Sequence, residues 1–272
     1  MTTTEQRPEV TQPVAATASS ASASSPSPSS PSPSSAYRRA PGPAGRAAGR
    51  YISVLQRRYR QDNPAAVADL ARLRNGAGRT AHMVQDHWGL GGLEELAEIL
   101  MVDGTYVRRE QAEEAVYLAV TLWALHQQSV RDGDMHNPKG TLGGAVRELM
   151  RKKNGTGSDE ELDEPLRKRL VRVGTADSIE SVAVRLREIV LLLRGDQVPL
   201  DYGRLADQLY RWQSRSERAA VRREWGREFH LAARPRPGKG GASQSDGATG
   251  DAIDPSLRPD QEGDSYGYGS GE

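Results

Sequence analysis

The chain has 272 residues, a formal net charge of +1 at pH 7 and no cysteine, which removes disulfides, thiolate metal centres and cysteine nucleophiles from consideration. It shows no basic start followed by an apolar run, and no apolar stretch long enough to span a bilayer, so the sequence predicts a cytoplasmic protein with no membrane partner. The near-neutral total hides a division, because residues 37–237 carry +7 against −1 before them and −5 after.

Residues 1–45, rich in Ser, Pro, Ala and Thr, and residues 233–272, rich in Gly, Ser and Asp, hold too little apolar surface to offset the entropy of ordering, so both tails are predicted to be disordered. Between them the sequence predicts an all-α, compact two-lobed helical bundle. The N-terminal helical lobe is placed at 46–130 and a basic C-terminal helical lobe at 131–232.

In chain order, the first helix is expected over Ala48 to Gln61, with Tyr51, Ile52, Leu55 and Tyr59 on one face. Asn63-Pro64 then supplies an N-cap and a proline at the first helical position of a second helix, which Asn75-Gly76 stops. Short elements near 80–88 and 93–101 lead to a long helix from about Arg108 to Ser129, apolar on several sides and therefore the expected buried centre. Helices follow over Leu142 to Arg151 and Leu166 to Val173, on either side of a glycine-bearing acidic connection. Asp177 and Glu180 have the spacing of a capping box for a helix that carries Ile179, Val182, Leu186, Ile189, Val190 and Leu193 and ends at Gly195. Asp201 opens the next, with Tyr202, Leu205, Leu209 and Trp212 inward, and the last has Val221, Trp225 and Phe229 at four-residue steps and stops before Pro235. No segment alternates as a strand.

The search for chemistry finds almost nothing. The histidines are His82, His87, His126, His136 and His230, and none forms the i, i+4 pair with an intervening glutamate that a zinc hydrolase needs. His126, ending an apolar helix, reads as a satisfied core or capping histidine. Gly89-Leu90-Gly91-Gly92 is too short for a dinucleotide loop and follows no strand. Gly238-Lys239 lacks the upstream glycine of a phosphate-binding loop. No catalytic residue, metal, cofactor or small-molecule substrate is expected.

The basic residues carry more. Arg215, Arg218 and Arg222 line up on the last helix, as do Arg223 and Arg227; Arg185, Arg187 and Arg194 surround the helix at 179–195; Arg167, Lys168 and Arg169 sit together; Arg147, Arg151, Lys152 and Lys153 flank the helix at Leu142; Arg72 and Arg74 close the second helix. A cationic body of this kind suits a polyanion, nucleic acid above all. The plainer account is that Glu180, Glu188, Glu217, Glu224 and Glu228 neutralise many of these arginines in surface pairs.

Five segments together carry a resemblance: ALHQQS at 124–129, TLGGAVREL at 141–149, RKRLVRVGTADSIESVAVRLREIVLLLR at 167–194, VPLDYGRLADQLYRW at 198–212 and VRREWGREFHL at 221–231. In this order they resemble the CasB family, the small subunit of the type I-E CRISPR Cascade complex, over about Tyr51 to Leu231. The resemblance implies a two-lobed all-α protein that does no chemistry. It also implies pairing with a second copy, beside the large subunit and the backbone subunits that hold the guide RNA. There it would help hold target DNA, in particular the displaced strand, before a separate helicase-nuclease cuts.

As nucleic-acid contacts the resemblance implies Arg72 and Arg74, Lys139 before the TLGG segment, Arg167 and Arg169 before the TAD turn, Arg185 and Arg187, and Arg223 and Arg227. Relatives often carry a basic residue where this chain has Gly144, so Arg147 one turn later is the expected substitute. The acidic connection over 159–164 is expected to point away from DNA. Because base pairing would supply the sequence recognition, a cationic track for phosphates suffices. The other reading is a helical assembly module whose arginines meet acidic protein surfaces.

Overall fold

The computed structural model describes residues 39–81, 91–103, 107–154 and 164–232. The two tails, most of the element expected at 80–88, the His82 and His87 pair, and the acidic connection up to residue 163 lie outside the described residues. The described residues form an all-α structure, with α1 Pro43–Arg60, α2 Pro64–Asn75, α3 Leu93–Asp103, α4 Arg109–Gln127, α5 Leu142–Asn154, α6 Glu164–Gly174, α7 Ile179–Gly195, α8 Tyr202–Trp212 and α9 Arg215–Leu231. The one β-type pairing among them is an isolated parallel bridge between His136 and Leu200.

α4 is the centre, buried on every side from Ala115 to Gln127, and it packs on α1, α2, α7 and α8. α1 and α8, drawn from opposite halves of the chain, also pack against each other, and buried residues from all nine described helices form one continuous cluster.

Local chemistry explains several of the helix ends. The Asn63 side chain accepts a hydrogen bond from Ala66 N at 3.2 Å with Pro64 just inside α2, and Asp201 Oδ1 accepts from Arg204 N at 2.9 Å to open α8. At α7 the cap lies one residue later than expected: Ser178 Oγ accepts from Ser181 N at 3.2 Å. That places Glu180 at the second helical position, outside the geometry of a capping box. α4 ends at Gln127, because Ser129 takes φ +66 and donates its N–H to Tyr59 Oη at 3.1 Å.

The start of α1 has a tertiary cause. Gly42 offers no side-chain cap, yet the helix begins at Pro43, five residues before Ala48. The half-buried Asp207 carboxylate of α8 accepts from Gly42 N at 2.6 Å and Gly45 N at 2.7 Å, so it caps α1 from across the bundle. Burial pushes this carboxyl above its ordinary value. The approach is possible because position 45 has no side chain: a Cβ there would overlap Asp207 Oδ2 and lie 2.8 Å from Gly203 O.

Beneath this seam the loop before α5 runs beside the segment leading into α8. Leu200 N donates to Met135 O at 3.0 Å, Asn137 N donates to Leu200 O at 3.2 Å, and Tyr202 N donates to His136 Nδ1 at 3.2 Å. Gln56 from α1 closes the arrangement, its Oε1 accepting from Trp123 Nε1 at 3.1 Å and His136 N at 2.9 Å. His126 is a core histidine, fully buried, with Nδ1 2.8 Å from Tyr202 Oη.

Burial lowers the His126 pKa from 6.5 to about 3. The unfolded chain therefore binds a proton that the folded one refuses, and stability is lost as pH falls from about 6.5 toward 3. At pH 5 the expected loss from this residue is about 2 kcal/mol. His136, also lowered by burial, acts in the same direction, while the raised Asp207 acts against both. Urea titrations at pH 7 and pH 5 should show a smaller pH dependence in His126→Gln than in the native chain; equal dependence in the two would exclude this assignment.

Candidate nucleic-acid interface

Two helices and a turn bring three arginines to one concavity. Arg74 stands in the last turn of α2, Arg79 in the turn that follows, and Arg187 on α7, with Asn75 and Gln128 beside them around a groove of about 690 Å³. Arg79 and Arg187 are exposed and Arg74 is half-buried. The turn closes through Gly78 at φ +84, a left-handed conformation that glycine adopts freely. Its bare Cα is also what lets the Arg187 stem lie across it, since a Cβ at Gly78 would sit 2.7 Å from Arg187 Cδ. No acidic residue lines the groove, and none of the three arginines makes an ion pair among the described residues. Three permanently charged forks in one concavity, uncompensated locally, form a site for closely spaced phosphate oxygens.

The other predicted residues are distributed differently. Lys139 is exposed in the loop before α5, and Arg223 and Arg227 are exposed on α9; none of the three has an ion-pair partner among the described residues. Arg72 is exposed beside Asp69 at 3.5 Å, and Arg167 is exposed beside Glu164 at 3.6 Å, while Arg169 is half-buried. Arg185 donates to the Arg172 carbonyl near the end of α6, so part of its hydrogen-bonding capacity is spent on holding α6 to α7. Arg147 departs most from expectation. It is 6 % exposed, with its guanidinium over the Phe229 ring at 5.3 Å, and belongs to the α5–α9 packing instead of the surface.

Two more arginines of the expected α9 row are also structural. Arg218 lies over the Trp212 ring at 4.0 Å and donates to Trp212 O and Asp177 O, and Arg222 donates to Ala176 O at 3.4 Å. They tie α9 to the turn between α6 and α7.

The acidic side chains of α9 depart from expectation too. Glu224 and Glu228 do not form surface pairs; they turn inward to α8. Arg204 bonds Glu224 at 2.7 Å and Glu228 at 2.8 Å, and Arg211 bonds Glu224 at 2.6 Å. Gln208 Nε2 donates to both carboxylates, its Oε1 accepts from Trp225 Nε1 at 2.8 Å, and Gly143 N donates to Glu228 at 3.3 Å. Burial pushes both carboxyls up; at Glu224 the hydrogen bonds from Arg211 and Gln208 and the charges of Arg211 and Arg204 together outweigh it and hold the group below its ordinary value, whereas Glu228 stays raised. The sequence signal for this network is Arg204, Gln208 and Arg211 at i, i+4, i+7 opposite Glu224 and Glu228 at i, i+4.

Among the described residues no cluster of three or more His, Asp or Glu could hold a metal ion, and no helix is long and apolar enough to cross a membrane.

Comparison with known proteins bears on what this surface belongs to. No curated protein matches the chain. Among solved structures, CasB from Thermobifida fusca is 42 % identical, with a TM-score of 0.58, over 70 % of this chain and 99 % of that one. Chains of a CRISPR RNA-guided surveillance complex and of its pre-nicking form are each 24 % identical, over 70 % and 69 % of this chain and 94 % of theirs, with TM-scores of 0.47 and 0.49. The model of the CRISPR-associated protein Cse2 family matches residues 69–230, from the middle of α2 into the last turn of α9. The chain thus belongs to the CRISPR-associated Cse2 family.

Proposed function

We propose that the chain is the noncatalytic small subunit of a type I-E Cascade surveillance complex, binding nucleic-acid backbone without sequence preference. In that role it steadies the R-loop by holding the displaced strand. Its partners are the large subunit, the backbone subunits, a second copy of itself, the guide RNA and the target DNA. The observation that carries this reading is the groove where Arg74, Arg79 and Arg187 converge with no acidic residue in its lining. Guanidinium forks bind phosphate oxygens whatever the base, so such a groove follows a strand and leaves sequence discrimination to the guide. Lys139, Arg223 and Arg227 extend the cationic surface beyond the groove, and Arg72, Arg167, Arg169 and Arg185 contribute what their local partners leave free. Arg147 is withdrawn from the contact set because its charge faces Phe229.

Alanine at Arg74, Arg79 and Arg187 together should weaken single-stranded DNA of every sequence alike and reduce the log–log salt slope by about 0.7 per lost contact, close to 2 in all. Fluorescence anisotropy across a salt series measures both. Loss confined to particular sequences would refute the backbone reading. Unchanged DNA affinity, together with failure of the triple variant to co-purify with partner subunits, would instead identify the surface as an assembly face for acidic proteins.

A further inference from the structure

The arginine groove does not end at Arg187. On α7, Val184, Arg187, Leu191 and Arg194 follow one another at i, i+3, i+7 and i+10, spacings that keep them within about 80° of helix surface. α4, α5 and α6 pack on the other sides of the helix, and this strip faces solvent: Arg187 is exposed, Arg194 is half-buried, and Val184 and Leu191 are 51 % and 38 % exposed. Neither arginine has an ion-pair partner among the described residues. Glu188 lies at the edge of the strip, about 100° around the helix from Arg187, and Glu180 stands one turn before Val184, at the end remote from Arg194. The strip joins the groove where the Arg187 stem crosses Gly78. Its far half lies beside the end of α4, since the charge of Arg194 acts on His126, and there Lys152 of α5 meets it, Nζ donating to Asp196 O at 2.8 Å.

We infer that this strip of α7 continues the groove as a reader of single strands, in which Arg187 and Arg194 take phosphates while Val184 and Leu191 take the faces of unpaired bases. The inference rests on the nucleic-acid reading above and adds the class of nucleic acid, a single strand in preference to a duplex. A guanidinium attracts the phosphates of either form alike, so the arginines alone do not discriminate. Aliphatic side chains do. The bases of a duplex are paired and stacked inside it, whereas an unpaired base has a free apolar face to set against Leu191 or Val184. Arg187 and Arg194 are about 10.5 Å apart along the helix axis, so a strand held at both passes over Leu191 between them. Covering roughly 40 Å² of apolar side chain is worth about fivefold in affinity, and that increment goes to unpaired bases alone. It is also indifferent to salt, because no counterion is released by an apolar contact.

The test titrates the full chain, native or carrying Val184→Ala and Leu191→Ala together, into a fluorescent oligo-dT of about 30 nucleotides and a duplex of equal length, a span on the scale of the site sizes of single-strand binders. Both substitutions are at exposed positions and favour the helix. The double variant is expected to bind the single strand about fivefold more weakly with its log–log salt slope unchanged, and the duplex within about twofold of native. The duplex arm thereby also shows that the variant is folded. Arg194→Ala should lower the single-strand slope by about 0.7. Equal losses on the two DNAs, no loss on the single strand, or an unchanged slope in Arg194→Ala overturns the inference, and the groove reading stands if the Arg74, Arg79, Arg187 variant still loses DNA. Unchanged DNA binding in a double variant that no longer co-purifies with partner subunits also overturns it, and makes the strip a face for protein. A native chain that binds neither DNA ends both readings.

Discussion

Arg204→Ala should lower the stability of the chain by about 3 kcal/mol, the range expected when one partner of a buried ion pair is removed and the other charge is left behind. Arg204 is the only cation that bonds both Glu224 and Glu228 among the described residues, and the side chains it serves are 15 % and 7 % exposed. Without it Glu228 keeps Gln208 and the Gly143 N–H but no positive charge within bonding distance. For a body of this size the loss should appear as a fall in Tm of roughly 6–12 °C. Removing the acids together with the arginine, in Arg204→Met, Glu224→Gln, Glu228→Gln, should recover much of it, because the neutral set leaves no charge stranded. A fall below about 1 kcal/mol in the single variant would mean that water already screens the network.

Gly143→Ala is expected to be as damaging for a steric reason. A Cβ at this position would overlap the Trp225 carbonyl oxygen and the Phe229 backbone nitrogen, with Glu228 Cβ at 2.9 Å. Two of these neighbours are backbone and cannot rotate away, so α9 must move off α5. Movement there also shifts Glu228 from Arg204 and Phe229 from Arg147, so the effect should reach about 3 kcal/mol, the upper end of ordinary overpacking. Gly226→Ala is the matched control. It lies inside α9 with nothing within 4 Å of its added Cβ, and should gain up to about 1 kcal/mol from helix propensity. Thermal melts of the two variants should move in opposite directions; similar shifts would show that α5 and α9 separate easily.

What the sequence made legible depended on how far each cause lay along the chain. Asn63-Pro64 and Asp201 act within their own first turn, so the starts of α2 and α8 could be read directly. The start of α1 could not, because its cap is Asp207, 162 residues from Gly45. Arg74 and Arg187 were identifiable as basic residues, but their convergence with Arg79 depends on the left-handed turn at Gly78 and the α2–α4–α7 packing. Charge type alone put Arg147 outside, although its position among Leu142, Val146, Leu149 and Met150 on α5 marks the buried face. The same oversight placed Glu224 and Glu228 at the surface, because their complement is on α8 and not at i±4 on their own helix.

The seam between α1 and α8 also sets the order in which a nascent chain can settle. Gly42, Gly45 and the alanines of α1 have no lasting seat until Asp207 has been made, and synthesis at about 5–20 residues per second delays that by roughly 8–30 s. The amino-terminal half therefore leaves the ribosome with an uncapped helix and an open apolar face, and the whole body becomes cooperative only when α8 closes over it. A chain interrupted before residue 207 should be handled as unfolded, since its first helix has neither its cap nor the surface that covers it.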